Sequence, residues 1–179
     1  MTDATPTNSS ASEILGAIQS AGVSRNAAVM LAAQSALETA GWKGGLWNYN
    51  LGNITTNGAD YVLLPGNSLH FKTYSDLQSG AADFVHYIRS HGLLPFAEAG
   101  DLQGYVNRLQ QIGYAGNADY TAYYNGMATW MGKLGGVVAR APVNKNVLAI
   151  AVVAGGLAWG LYTGSLERAF RKVWRWLPV

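Results

Sequence analysis

The stretch AAQSALETAGWKGGLWNYNLGNI, residues 32–54, decides how this chain is read. It begins inside an apolar helix and ends among aromatics, asparagines and glycines. The helix is expected to start after Ser24, whose side chain can cap it, and to run to about Ala40. From Ala27 to Ala33 every residue is apolar, so this helix lacks a solvated face and belongs at the centre of a domain. Its polar residues gather at the C-terminal end. Gln34 and Ser35 lie four and three residues before Glu38, so all three share a face. A buried helix that ends in a polar stripe is suited to bordering a cleft.

Working outward, Ser12-Glu-Ile-Leu predicts a short helix closed by Ala21-Gly22. Beyond residue 52 the pattern changes. Asn57-Gly58 sits between two short runs, Asn53–Thr56 and Ala59–Leu63, and predicts a hairpin. Pro65-Gly66-Asn67 predicts another turn, and Ser68–Lys72 a third strand. Ser75-Asp76 can cap a helix reaching about His91, with Leu77, Ala81, Phe84, Val85 and Ile88 on its inner face. Two more helices are expected at about 101–112 and 119–134. The predicted fold class is mainly α (α+β): a helical domain with a small β-lobe and a ligand cleft between them.

The charge is divided unevenly. Residues 1–136 hold six Lys/Arg and nine Asp/Glu, a balance of −3; residues 137–179 hold six Lys/Arg and only Glu167, a balance of +5. The first part has no basic footprint for nucleic acid. The 17 residues from Val147 to Thr163 carry no charge, close to the roughly 20 needed to span a bilayer. Basic residues flank them, with the excess on the C-terminal side, which predicts a cytoplasmic C-terminus. Gly156, Gly160 and Gly164 form a row on one face that permits self-association; small residues are also simply common in membrane helices. A helix buried in a soluble assembly is the other reading of the segment. In residues 165–179, Leu166, Phe170, Val173, Trp174 and Leu177 oppose Arg168, Arg171, Lys172 and Arg175, the pattern of a helix lying on anionic lipid. The expected organisation is a flexible arm over 1–11, a folded domain over 12–136, a hinge over 137–146, a membrane helix over 147–164 and a basic amphipathic tail over 165–179.

Glu38 is the candidate acid. Burial beside the apolar helix and the negative end of the helix dipole should both raise its pKa, which favours a general acid at neutral pH. The plainer reading is an ordinary glutamate at a helix end. Trp42, Trp47 and Tyr49 follow it, with Asn48, Asn50 and Asn53. Aromatic rings suit the apolar faces of sugars, and amides suit hydroxyl and acetamido groups. The alternative is core packing for the rings and turn geometry for the asparagines. Asp60 is the only acid in the expected β-lobe; it can activate water opposite Glu38 or be a solvated turn residue. His70, His86 and His91 lack metal spacing, there is no cysteine, and no cofactor signature is present.

Ala36-Leu-Glu-Thr-Ala-Gly-Trp42 followed by Asn48-Tyr-Asn-Leu-Gly-Asn-Ile54 resembles the A-x-E-[ST]-G-W … N-L-F-G-I pattern of the family 73 glucosaminidases and neighbouring lysozyme-like transglycosylases. Phe71-Lys-Thr-Tyr74 resembles that family's F-R-x-Y, Ser75–Tyr87 its following helix, and Gly113-Tyr-Ala-Gly-Asn-Ala-Asp-Tyr120 its G-Y-A-T-D-P-x-Y block. The four blocks come in order over about residues 12–134 and leave the C-terminal 45 residues uncovered. The resemblance implies a lysozyme-like domain cleaving the β-1,4 glycan strands of peptidoglycan, with Glu38 in the general-acid position and Tyr114 as the cleft tyrosine. It implies that Asn50, Gly52, Ile54, Phe71 and Tyr74 shape the cleft floor. Gln34, Trp42, Trp47, Asn50, Asn53, Tyr74 and Tyr120 are the expected substrate-binding residues.

Three features depart from the family pattern. Ala40-Gly41-Trp42 is one residue longer after the acid, Asn53 stands near the family's glycine, and no glutamate lies between Glu38 and Glu98 to serve as the second carboxylate the family often has. The expected partners are peptidoglycan and a lipid membrane, with the domain on the wall side. A polar N-terminus without a secretory pattern suggests a wall-opening protein of a phage virion. The rivals are a non-catalytic wall-binding membrane protein of a virion and a membrane-permeabilising lysis protein.

Overall fold

A computed structural model describes residues 4–43, 46–58, 61–64, 68–114, 116 and 119–135. These residues form a mainly helical domain with a small antiparallel sheet. The expected hinge (137–146), membrane helix (147–164), glycine row (Gly156, Gly160, Gly164) and basic tail (165–179) lie outside the described residues, as does Asp60. Among the described residues no helix is long and apolar enough to cross a membrane.

Local caps explain where the helices start. Helix α1 (Ala11–Ser20) opens on a capping box: the Ser10 side chain accepts from the Glu13 N–H while the Glu13 carboxylate accepts from the Ser10 N–H. Ser24, Asp76, Asp101 and Asp119 each accept a backbone N–H at the start of α2 (Arg25–Glu38), α3 (Leu77–Ser90), α5 (Leu102–Gln111) and α6 (Tyr120–Lys133). One six-residue helix, α4 (Leu94–Ala99), was not expected from the sequence; it has no side-chain cap and is too short to show a period. It begins with Pro95 in its first turn, which suits proline's fixed φ, and ends at Gly100 in the left-handed region.

Helix α2 is the axis of the core. Residues Ala27 to Ala36 are all buried, and α2 packs against α1, α4 and α6. Alanines let those neighbours come close. On α6, Gly126 does the same: a Cβ there would lie 2.9 Å from Leu37 Cδ1. The buried end of α2 is thereby fixed against α6, and this contact sets where Glu38 sits.

The β-lobe has a different topology from the predicted one. Strand β1 (Tyr61–Leu63) pairs with β2 (His70–Lys72), with Val62 opposite Phe71. Residues 54–56 do not fold back on β1 around Asn57-Gly58. They lie on the other edge of β2: Thr55 bridges Phe71, Thr56 N–H donates to His70 O at 2.8 Å, and Lys72 N–H donates to Ile54 O at 2.9 Å. The segment with the most apolar central residue, Phe71, takes the middle position, and its side chain is buried with Val62 and Leu64. The Asn57-Gly58 turn is held locally by Gly58 N–H donating to Thr56 Oγ1 at 2.9 Å. A hairpin signal reports a turn and does not say which strand the chain then pairs with.

Residues 5–7, expected to belong to a flexible arm, are hydrogen-bonded along the 46–48 segment. Thr7 N–H donates to Leu46 O at 2.7 Å, and Asn48 N–H to Thr5 O at 2.9 Å. The Asn48 side chain closes the same contact by accepting from Thr5 N–H at 3.0 Å.

The loop that follows α2 crosses α3 at Gly80. A Cβ at this position would sit 2.1 Å from the Tyr49 carbonyl oxygen. Alanine is ordinarily better than glycine inside a helix by about 1 kcal/mol. Here the obstacle is backbone and cannot swing aside, so overpacking, about 1–3 kcal/mol or more, outweighs the propensity gain. Gly80→Ala is expected to lower the stability by about 1–2 kcal/mol in urea denaturation; an increase would mean that the loop is not seated on α3.

Candidate functional site

Glu38 is the last residue of α2. Its carboxyl is held from α6, where the Tyr123 hydroxyl donates to Oε1 at 2.7 Å. The side chain keeps part of its surface in solvent, while protein surrounds the carboxyl on most sides. A group so placed is poorly hydrated. Burial pushes its pKa up to about 7, against the opposing hydrogen bond from Tyr123. Burial is the largest cause, because desolvation penalises the charged form.

Phenol groups ring this carboxyl. Tyr105 of α5, Tyr114 in the turn after it, and Tyr123 all feel the Glu38 charge. Burial first, and neighbouring charge after it, hold all three hydroxyls well above the usual phenol range, so they stay protonated donors. Tyr105 donates to Gln34 Oε1. Tyr114 donates to the Gly52 carbonyl at 2.9 Å, which ties the loop over residues 46–54 to the helical body. The Tyr123 bond to Glu38 spans 85 residues of chain.

The backbone after Glu38 is unusual. Ala40, Gly41 and Trp42 have φ of 52°, 73° and 63°, and Asn48, Tyr49 and Asn53 have 46°, 55° and 49°. Three consecutive left-handed residues make a tight reversal, in which Gly41 N–H donates to Ala36 O at 2.7 Å and Trp42 N–H to Thr39 O at 3.1 Å. Asparagine visits this region readily; alanine, tryptophan and tyrosine do so at a cost of about 1–2 kcal/mol each. Strain of this kind persists only where packing fixes it, and it clusters at functional sites. Packing is evident at Gly41, where a Cβ would approach Trp130 Cη2 to 2.8 Å. Asn53 then closes the loop on the helix end, its Nδ2 donating to the Glu38 carbonyl at 3.2 Å.

Several expected ligand-binding residues turn out to be struts. Gln34 has no solvent exposure, and its Nε2 has no hydrogen-bond partner. Trp42 is 4% exposed, donates from its indole to Ser35 Oγ at 3.0 Å, and packs on Trp130. Asn50 is 2% exposed with its whole amide engaged on backbone: Nδ2 donates to Ile54 O at 2.9 Å and Lys72 O at 3.0 Å, and Oδ1 accepts from Ile54 N–H at 2.8 Å. These three hold the frame and are not positioned to touch a ligand. Trp47 is partly exposed and packs on the Val62–Leu64–Phe71 cluster of the β-lobe.

Tyr74 belongs to a separate clamp between lobe and body. Its hydroxyl donates to Asp83 Oδ2 at 2.6 Å, and Lys72 Nζ reaches the same oxygen at 2.9 Å. Burial alone would raise the Asp83 carboxyl; the hydrogen bonds from Tyr74 and Lys72 and the lysine charge outweigh it and hold the pKa low. Burial and the facing Asp83 push the Tyr74 hydroxyl up. Tyr120, half-buried, contacts the Tyr123 ring with centroids 6.2 Å apart. Among the described residues no group of three His, Cys, Asp or Glu side chains is placed to hold a metal ion.

Tyr123 and Trp130 were not anticipated. Both lie on α6, the helix expected at about 119–134, of which the sequence singles out only Tyr120. The available signal was weak: a tyrosine on the buried face of a helix needs a hydrogen-bond partner, but sequence does not say which one.

A raised pKa has a stability consequence. The folded protein holds the Glu38 proton more tightly than the unfolded chain, so stability falls as pH rises from about 4.5 to about 7. Glu38→Gln, neutral throughout, escapes this loss. The two proteins are expected to match in stability at pH 4, with the variant ahead by on the order of 1–3 kcal/mol at pH 8, the range allowing for the partial solvent contact. Denaturation at both pH values checks this; a variant that is less stable at pH 8 would contradict the burial account. No protein-family model, curated protein or solved structure matches the chain, so the chemistry of these side chains is what a functional reading stands on.

Proposed function

We propose that this chain cleaves the β-1,4 glycosidic bonds of bacterial peptidoglycan, as a glucosaminidase or as a muramidase of the lytic transglycosylase type. The observation that carries the reading is Glu38: a half-buried residue at the end of a buried helix, hydrogen-bonded from Tyr123, with its carboxyl pKa raised to about 7. A group of that acidity is protonated for a substantial fraction of the time at neutral pH and gives its proton to a leaving oxygen more readily than a phenol or water does. The strained reversal immediately after it and the ring of neutral phenols around it are features of a site and not of a plain helix end. The four sequence blocks resembling the family 73 glucosaminidases put the same glutamate in the acid position, and a lysozyme-like architecture goes with that reading.

In this mechanism the glycan lies with a glycosidic oxygen at the Glu38 carboxyl. Glu38 protonates that oxygen as the bond to the anomeric carbon breaks and oxocarbenium character develops. The carbon is then attacked by one of three nucleophiles. A water on the opposite face, activated by Asp60, gives hydrolysis with a free reducing end, its proton passing to Asp60. The substrate's own acetamido oxygen gives a cyclic intermediate that water opens. The C6 hydroxyl of muramic acid gives an anhydro sugar. Each route takes its first proton from Glu38, and in the last two the resulting carboxylate is then in place to accept one back from the incoming water or hydroxyl.

The remaining parts of the proposal concern location. Residues 147–164 tether the domain to a membrane and residues 165–179 lie on its anionic face, with the domain on the wall side. A protein so arranged in a virion opens the wall locally at entry.

The test uses the full chain in mild detergent on purified cell walls. The wild type is expected to release soluble fragments, with Glu38→Gln reduced by at least about 100-fold, the lower end of what a general acid contributes. Mass spectrometry of the fragments identifies the bond, and anhydro ends separate transglycosylation from hydrolysis. Absence of cleavage by a wild type that still binds walls would sink the enzyme and leave a wall-binding protein. Leakage of dye from anionic liposomes without wall cleavage would favour a permeabilising one.

A further inference from the structure

The Glu38 carboxyl has two oxygens, and α6 engages one of them. Tyr123 Oη lies 2.7 Å from Oε1. Tyr123 is 5% exposed, so water does not compete freely for its hydroxyl. A phenol hydrogen bonded to a protonated carboxyl has a preferred sense. It donates to the carbonyl-like oxygen, and the acid proton then resides on the other oxygen. The backbone of Glu38 is held as well, through the Asn53 amide on its carbonyl at 3.2 Å. With one oxygen and the main chain both fixed, Oε2 is the oxygen left for a ligand.

We propose that Tyr123 is a positioning residue which binds Oε1 of Glu38 and so confines the transferable proton to Oε2, the oxygen presented to the substrate. This rests on the glycosidase reading for its use but not for its measurement. The hydroxyl also has an energetic effect whose sign is fixed. It donates more strongly to a carboxylate than to a neutral carboxyl, so it moderates the rise in pKa caused by burial. Without it Glu38 would be a weaker acid with an unfixed proton. The other groups that act on this carboxyl are the phenols of Tyr105 from α5 and Tyr114 from the following turn. Both are neutral over the working range and have partners of their own in Gln34 and the Gly52 carbonyl, so neither replaces Tyr123. The helices α1 and α4 pack on α2 as well, and among the described residues the one side-chain hydrogen bond that acts on the Glu38 shift comes from Tyr123.

The chain has four glutamates, Glu13, Glu38, Glu98 and Glu167, so carbon-13 labelling of glutamate carboxyls gives a spectrum of four signals, with Glu38 assigned by its loss in Glu38→Gln. In the full-length protein in detergent, Glu38 is expected to titrate near 7. In Tyr123→Phe, which keeps the ring and its packing, the midpoint should rise by roughly one unit, the size of a lost charge-assisted hydrogen bond at a partly wetted site. Tyr124→Phe on the same helix is the control and should leave the midpoint where it was. A midpoint that stays put or falls in Tyr123→Phe overturns the proposal. So does an equal rise in the control, which would mark a general loosening of α6. If the midpoint rises but neither the wild type nor Tyr123→Phe cleaves walls, the positioning role stands and the glycosidase reading fails. If the wild type cleaves, Tyr123→Phe should lose about 10-fold in kcat with KM little changed, as expected for a proton held in the wrong place.

Discussion

Taking a carboxylate out of water costs free energy, and the end of α2 is built so that Glu38 meets that cost by keeping its proton. The helix before it is apolar on every side and is enclosed by α1, α4 and α6. Such a helix cannot rotate to expose its last residue without uncovering the core. Glu38 therefore stays against α6, where Tyr123 donates a hydrogen bond to its carboxyl. The raised pKa follows from this placement. Everything downstream is arranged around it. The reversal through Ala40, Gly41 and Trp42 brings the chain off the helix end at once, and the loop over residues 46–54 returns to seal the same end through Asn53.

That loop is the mechanical link between site and β-lobe. Asn50 joins it to the strand segment at Ile54 and to β2 at Lys72, and Tyr74 and Lys72 then meet Asp83 on α3. The lobe is thus fastened to the loop through a buried amide and to α3 through a partly exposed ion pair. The amide is the stronger of the two. Its three bonds satisfy backbone groups that would otherwise be buried without partners, at about 1–3 kcal/mol for each such group. The ion pair contributes less because solvent reaches it. Any movement of the lobe relative to Glu38 would open the Asp83 contacts first.

Much of the helical frame was legible in sequence because its causes are local. Ser24 and Asp76 cap the helices they were expected to cap, and the apolar run Ala27–Ala33 identified the central helix. The nature of Glu38 was also legible, since a lone acid on an apolar helix has few other fates. What sequence could not give was pairing at a distance. The Asn57-Gly58 turn was correctly a turn, yet the strands around it chose β2 as their common partner because Phe71 is the side chain most in need of cover. The same limit applies to the side chains near the acid. Trp42 and Asn50 carry the right chemistry for a sugar, but their burial commits them to Ser35 and to the backbone. Tyr123 passed unnoticed for the opposite reason: nothing within its own helix shows that it faces a carboxyl 85 residues away.

The central claim is that the Glu38 proton drives the chemistry, and the pH profile of wall cleavage tests it most directly. Measured as kcat/KM on solubilised glycan strands between pH 4 and 9, the rate should fall as pH rises through about 7, with a limiting slope of tenfold per unit as the acid is lost. The midpoint of that fall should coincide with the Glu38 titration measured on the carboxyl itself. A profile that stays flat to pH 9, or one that falls near the ordinary glutamate value of 4.5, would contradict the account.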